Sequence, residues 1–226
     1  MRLFIFDVDG TLTQTNELDA DCYLRAVERH LDLDAFESDW REFEHPTAAG
    51  ITRELLETVA GSDVSDAAVE TIRSAFVEEL EGAIDDGEDI QPIPGATEVF
   101  AELRDRPGIT AAIATGDWRV SSHLKLAEAG LAVEDVPFAC SDDAVARHEI
   151  IRSAVGRTEA GSITAFDTVT YVGDGVWDVR AARRLGIDFV GIGRGNRAER
   201  LRSARADTVL PDYREFIAAV DLGDWS

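Results

Sequence analysis

Lysine is almost absent from this chain: Lys125 is the only one in 226 residues. The 22 basic residues face 45 acidic ones, giving a net charge of -23. A field of that sign repels phosphate backbones and anionic lipid headgroups, which argues against nucleic-acid or membrane binding as the main role. Carboxylates hold water and cations strongly, and arginine is less hydrated than lysine. An acidic surface nearly free of lysine therefore reads as adaptation to a cytoplasm of molar salt, where self-repulsion is screened within about 3 Å. A GC-rich genome also exchanges lysine for arginine, and that is the competing explanation.

Cysteine is scarce as well. Cys22 and Cys140 lie far apart and outside any CxxC or Cys/His spacing, so neither a zinc site nor a disulfide framework is indicated, and both read as small buried apolar residues. No run approaches the roughly 18 apolar residues that a membrane-spanning helix needs. The opening MRLFIFDVDG has an apolar stretch too short for a signal peptide, followed by acids, and the expected location is the cytoplasm. With 6 prolines, 18 glycines and 45% apolar residues, the composition is that of a folded globular chain.

Across most of the chain, short β-rich runs alternate with helical patterns. Strands are expected at Leu3 to Val8, Thr110 to Ala114, Val136 to Cys140, Thr168 to Val172, Phe189 to Ile192 and Thr208 to Leu210. Helical spacing lies between them, at Ala96 to Leu103, Val120 to Ala129, His148 to Val155, Val176 to Leu185 and Arg197 to Ala204. Such a βαβ series predicts an α/β fold with a Rossmann-like parallel sheet covered by helices on both faces. Residues 14–91 break the alternation, with helical patterns at 18–31, 51–59 and 66–84 and no strand, and are too long for a loop. The turn-rich Gln91-Pro-Ile-Pro-Gly95 then returns the chain to the sheet. The expected organisation is a core of residues 1–13 and 92–226 with a helical cap, 14–91, inserted after the first strand. Ligands of open α/β sheets bind beyond the carboxyl ends of the strands, where such an insert would act as a lid.

Three strand ends carry chemistry. The first reads Asp7-Val8-Asp9-Gly10-Thr11, two carboxylates where the backbone leaves the sheet, followed by a glycine that lets amides approach an anion. Aspartate is rarely buried unless paired or metal-bound, although an Asx-rich turn without chemistry also fits the short string. A second strand ends in Gly173-Asp174, with Asp178 one helical turn further on and on the same face. A third ends in Ala114-Thr115-Gly116-Asp117, a candidate phosphate cradle. Hard carboxylates without nearby His or Cys favour Mg²⁺ over zinc.

In combination, Asp7-Val8-Asp9-Gly10-Thr11, Thr115-Gly116 and Gly173-Asp174 with Asp178 resemble motifs one, two and four of the haloacid dehalogenase superfamily. Over its whole length the chain is similar to that superfamily's phosphoglycolate phosphatase and β-phosphoglucomutase branch, which carries a helical cap in this place. Dehalogenases proper lack a second aspartate, so Asp9 argues against that branch. The resemblance implies a Mg²⁺-dependent phosphatase of a small phosphorylated metabolite working through a phosphoaspartate. It makes Asp7 the nucleophile and Asp9 the general acid and then base. Asp7, the Asp9 main-chain carbonyl and Asp174 become the metal ligands, Asp178 holds a metal-bound water, and Thr115 and the Gly116 amide bind phosphoryl oxygens.

Motif three departs from the family pattern. Its usual lysine is replaced by Arg147 in Cys140-Ser-Asp-Asp-Ala-Val-Ala-Arg147-His-Glu-Ile, and Lys125 is the rival, expected instead to be a solvated residue of its helix. In the cap, Arg53 of Gly50-Ile-Thr-Arg53-Glu-Leu either holds a distal anionic group of the substrate or sits on a solvated face. Trp118 and Trp177, beside the motifs, are expected to pack the core or the cap interface. Two other readings remain: a phosphosugar mutase using the same carboxylates, and a non-catalytic binding or receiver-type module. Receiver domains have no large insert after the first strand and keep a late lysine, which this chain lacks.

Overall fold

The computed structural model describes residues 1–31, 43–60, 64–161 and 165–222. The first strand, β1 (Arg2–Phe6), shows how the sequence builds the fold. Leu3, Phe4, Ile5 and Phe6 are all fully buried, because a central parallel strand is covered on both faces. Phe4 and Phe6 face one core, with Val99, Phe100, Tyr213 and Phe216. Leu3 and Ile5 face the other, with Ile150, Ile151, Ala154 and Tyr171. The two-residue period of a strand thus splits one apolar run between two helical layers.

The remaining strands are β2 (Ile109–Ala114), β3 (Phe138–Ala139), β4 (Thr168–Gly173), β5 (Asp188–Ile192) and β6 (Thr208–Leu210). All pairings are parallel, in the order β3-β2-β1-β4-β5-β6. Expected strand positions agree to within one or two residues, and of the expected Val136 to Cys140 only Phe138–Ala139 pairs as β3. Because β2 and β3 lie on one side of β1 and β4 to β6 on the other, the strand order reverses at β1 and β4. A crevice opens beyond the carboxyl ends of the strands at such a switch point.

The stretch that follows β1 carries α1 (Asn16–His30), α2 (Ala48–Ala60) and α3 (Asp66–Asp85). The sequence expectation of a cap over 14–91 also covers 32–42 and 61–63, outside the described residues. Cys22, Tyr23, Ala26 and Val27 of α1, Ile51 and Leu55 of α2, and Ile72, Ala75, Phe76 and Leu80 of α3 form their own apolar cluster. Cys22 and Cys140 are free and buried. The sheet is flanked by α4 (Ala96–Arg104), α5 (Arg119–Glu128), α6 (Arg147–Ala160), α7 (Val176–Leu185), α8 (Gly195–Ser203) and α9 (Tyr213–Leu222). No helix among the described residues is long and apolar enough to cross a membrane.

Candidate active site

The carboxyl ends of β1, β2 and β4 bring Asp7, Asp9, Thr115, Gly116 and Asp174 onto the wall of one cavity of about 140 Å³, together with Arg147. The opposite wall comes from the helical insert: Asp19, Ala20 and Tyr23 of α1, Ala48 and Ile51 of α2, and Phe76 of α3. Asp7 is carried directly by the sheet, its amide donating to the Val172 carbonyl at 3.0 Å. The chain then turns sharply at Gly10, with φ of +73°. A Cβ there would stand 2.2 Å from Asp174 Oδ2 and 2.5 Å from the Asn16 amide, so only glycine fits the turn and the close approach together.

Asp7, Asp174 and Asp178 present carboxylate oxygens within 4.8 Å of one another, all buried. Asp178 Oδ2 accepts from the Gly175 amide at 2.9 Å and so caps the start of α7. Its Oδ1 is buried and has no hydrogen-bond partner among the described residues. A triad of buried acids, with one oxygen that accepts no hydrogen bond and has the Arg147 guanidinium at 3.2 Å, could hold a hard divalent cation. Burial pushes Asp7 up to about 6, with Arg147 opposing and Asp174 and Asp9 adding to the rise. Burial likewise lifts Asp174 to about 6 against Arg197, and Asp178 to about 7 against Arg147. Three acids gathered away from water thus hold their protons more readily than free carboxylates do.

Arg147, the first residue of α6, lies beside Asp7. Its Nη1 donates to Asp7 Oδ1 at 3.0 Å and to Tyr171 Oη at 3.3 Å, and lies 3.2 Å from Asp178 Oδ1. Nη2 donates to the Pro46 carbonyl at 3.2 Å, just before α2. The guanidinium fills the space beside Gly116, where a Cβ would meet Nη2 at 2.2 Å. Arg197 was not anticipated as a site residue. It pairs with Asp174 Oδ2 at 3.0 Å and donates to the Gly10 carbonyl at 3.3 Å. Asn16, five residues past the first motif, also donates to Asp174 Oδ2, at 2.9 Å.

Lys125 overturns the expectation of a solvated side chain. It is wholly buried, with Nζ 2.5 Å from Asp9 Oδ1, 2.5 Å from Asp19 Oδ1 and 2.9 Å from Asp117 Oδ2. Helical periodicity locates α5 but is silent on which face the insert covers, and Asp19 comes from that insert. Burial alone would lower the Lys125 ammonium, yet the three carboxylates outweigh it and hold it well above its usual range. Burial raises Asp19 and Asp117 in turn, with Lys125 opposing.

Arg53 is not among the residues lining the cavity. It follows Ile51 by two residues, roughly 200° around the helix, and its Nη2 donates to Asp66 Oδ1 at 2.8 Å on an exposed face. Thr115 is buried and lines the cavity, its Oγ1 accepting from the Asp117 amide at 3.2 Å. Trp118 sits in the apolar cluster of the insert, stacked on Tyr23 at 6.2 Å between centroids and 5.6 Å from Phe76. Trp177 lines the cavity.

The structure resembles several solved ones. A hydrolase from Pseudomonas syringae is 23% identical, with a TM-score of 0.72 over 98% of both chains. CbbY from Rhodobacter sphaeroides, solved in complex with phosphate, is 23% identical with a TM-score of 0.70 over 95% of both chains. A candidate β-phosphoglucomutase from Bacteroides vulgatus is 17% identical with a TM-score of 0.70 over 98% of this chain and 88% of that one. No curated protein sequence matches. The family model of the haloacid dehalogenase-like hydrolases matches residues 1–186, and with its motifs on the strand ends that the fold assigns to a site, the chain belongs to that family of hydrolases.

Proposed function

We propose that the protein is a Mg²⁺-dependent phosphatase of small phosphorylated metabolites, acting through a phosphoaspartate on Asp7. The observation that carries this reading is the convergence of Asp7, Asp174 and Asp178 around one point, with Arg147 on Asp7 and Asp9 on the same cavity wall. The carboxylate triad, with an Asp178 oxygen that accepts no hydrogen bond, suits a hard cation. Asp7, Asp174 and the Asp9 main-chain carbonyl would hold it, with Asp178 reached through water. Bound there, Mg²⁺ would neutralise charge on the transferring phosphoryl oxygens.

In the first step an Asp7 carboxylate oxygen attacks phosphorus in line, the bond from phosphorus to the leaving oxygen breaks, and Asp9 supplies the proton that oxygen takes. Water then attacks phosphorus and gives its proton to Asp9, and the bond between Asp7 and phosphorus breaks to free inorganic phosphate. Arg147, Thr115 and the Gly116 amide supply the fixed cation and donors at the phosphoryl oxygens. The wall of Ala20, Tyr23, Ile51 and Phe76 faces the leaving group and gives it an apolar surface. CbbY has been solved with phosphate and, as a mutant, with xylulose-1,5-bisphosphate. Ligands of that kind match the substrate class proposed for this chain. The cellular setting proposed is a salt-rich cytoplasm.

The test is a panel of phosphorylated metabolites assayed with Mg²⁺, with EDTA, and with the Asp7→Asn variant. Phosphate release should require the metal, and Asp7→Asn should form no phosphoenzyme. Full turnover in EDTA or by that variant would sink the mechanism. A phosphosugar isomer appearing in place of free phosphate would favour the mutase reading.

A further inference from the structure

Lys125 stands apart from the rest of the site. A lysine ammonium has three N–H groups, and three carboxylates from three segments surround this one: Asp9 after β1, Asp19 on α1 and Asp117 after β2. Removing an ammonium from water is costly, and a leucine would fill the same space without that cost. In a chain with no other lysine, the buried charge needs a reason beyond packing. Asp9 supplies one. Thr15 Oγ1 donates to Asp9 Oδ1 at 2.6 Å, and Lys125 Nζ meets the same oxygen at 2.5 Å. Both anchors converge on one carboxylate oxygen of a residue that lines the cavity.

We infer that Lys125 is a positioning residue: it pins Asp9 by Oδ1 so that the other oxygen serves the leaving group, and through Asp19 it ties that orientation to helix α1 of the insert. The inference rests on the phosphatase reading in which Asp9 handles the leaving-group proton. Lys125 touches Asp9 and acts through it. Its effect should therefore scale with the leaving oxygen's need for a proton. An alkoxide needs that proton, whereas a p-nitrophenolate departs well without it. A structural role would weaken both reactions alike.

The experiment compares kcat/KM for an alkyl phosphate and for p-nitrophenyl phosphate in wild type, Lys125→Met and Lys125→Arg, all with Mg²⁺. This constant covers the steps up to departure of the leaving group, so the shared dephosphorylation step drops out. Lys125→Met should lose about 100-fold or more on the alkyl ester, the scale of a lost general acid, and less than about tenfold on the aryl ester. Lys125→Arg should fall between wild type and Lys125→Met on the alkyl ester. Turnover of the aryl ester also reports that the variant is folded. Should Lys125→Met be too unstable, the pair Lys125→Met with Asp19→Asn leaves less unpaired charge and must show the same split. Equal losses on both esters, or no loss on the alkyl ester, overturn the inference while leaving the phosphatase reading intact. A wild type inactive on both esters overturns that reading and this inference with it.

Discussion

Arg147 and Lys125 are two cations at separate places in the site. Arg147 sits beside Asp7 and Lys125 beside Asp9, and the two have separate partner sets. The planar guanidinium suits its position, because its fork reaches Asp7 and Tyr171 with Nη1 and the Pro46 carbonyl with Nη2. Arg147→Ala should lower kcat by about two to three decades, corresponding to roughly 2.7 to 4 kcal/mol for a fixed donor lost from a desolvated site. Arg147→Lys should recover part of that loss. Steady-state turnover on one substrate checks this, and near-normal turnover of Arg147→Ala would remove Arg147 from the phosphoryl site. The same substitution leaves Asp7 and Asp178 without their guanidinium, so some loss of stability should accompany it.

Among the elements, the contact between the helical insert and the sheet domain runs through a few residues. Trp118, at the start of α5, inserts into the cluster formed by α1, α2 and α3 and is only 2% exposed. The Ala48 amide donates to the Gly116 carbonyl at 2.7 Å and the Ala49 amide to Ser141 Oγ at 2.8 Å, so the start of α2 is satisfied by loops of the sheet domain. These bonds hold one end of the insert while its aromatic wall covers the cavity. Trp118→Ala removes the largest side chain of that contact and should destabilise the protein by about 3 to 5 kcal/mol, the usual cost of emptying a buried aromatic site. Urea unfolding followed by circular dichroism measures it. A change below about 1 kcal/mol would mean that the cluster closes over the gap.

At the scale of the whole molecule, the net charge of -23 dominates. Such a chain repels itself at low ionic strength, and raising salt from 0.1 M to 1 M shortens the screening length from about 10 Å to about 3 Å. The melting temperature should therefore rise with KCl into the molar range. A melting temperature unchanged between low and molar KCl would remove the salt-adapted reading without touching the fold or the site.

The sequence by itself determined the order of the strands and of helices α1 to α8, though not α9, because periods of two and of 3.6 are local properties of apolar spacing. It also determined the strand ends that matter, since Asp7, Thr115 and Asp174 stand where a buried run meets turn residues, and beyond the carboxyl ends of a parallel sheet such residues meet across a crevice. The alignment of Arg147 was legible as a position, and the place it implies, beside the Asp7 carboxylate, is where the guanidinium lies. What a helix does with its faces was decided elsewhere. Arg53 and Lys125 both lie on helices that the sequence located, yet one turns outward to Asp66 and the other is enclosed by three acids. Neither outcome is local: the surroundings of Lys125 come from Asp9, 116 residues away, and Asp19, 106 residues away. Only tertiary structure brings such carboxylates within reach of one ammonium, because their meeting depends on where the insert packs against the sheet and leaves no periodic trace in the sequence.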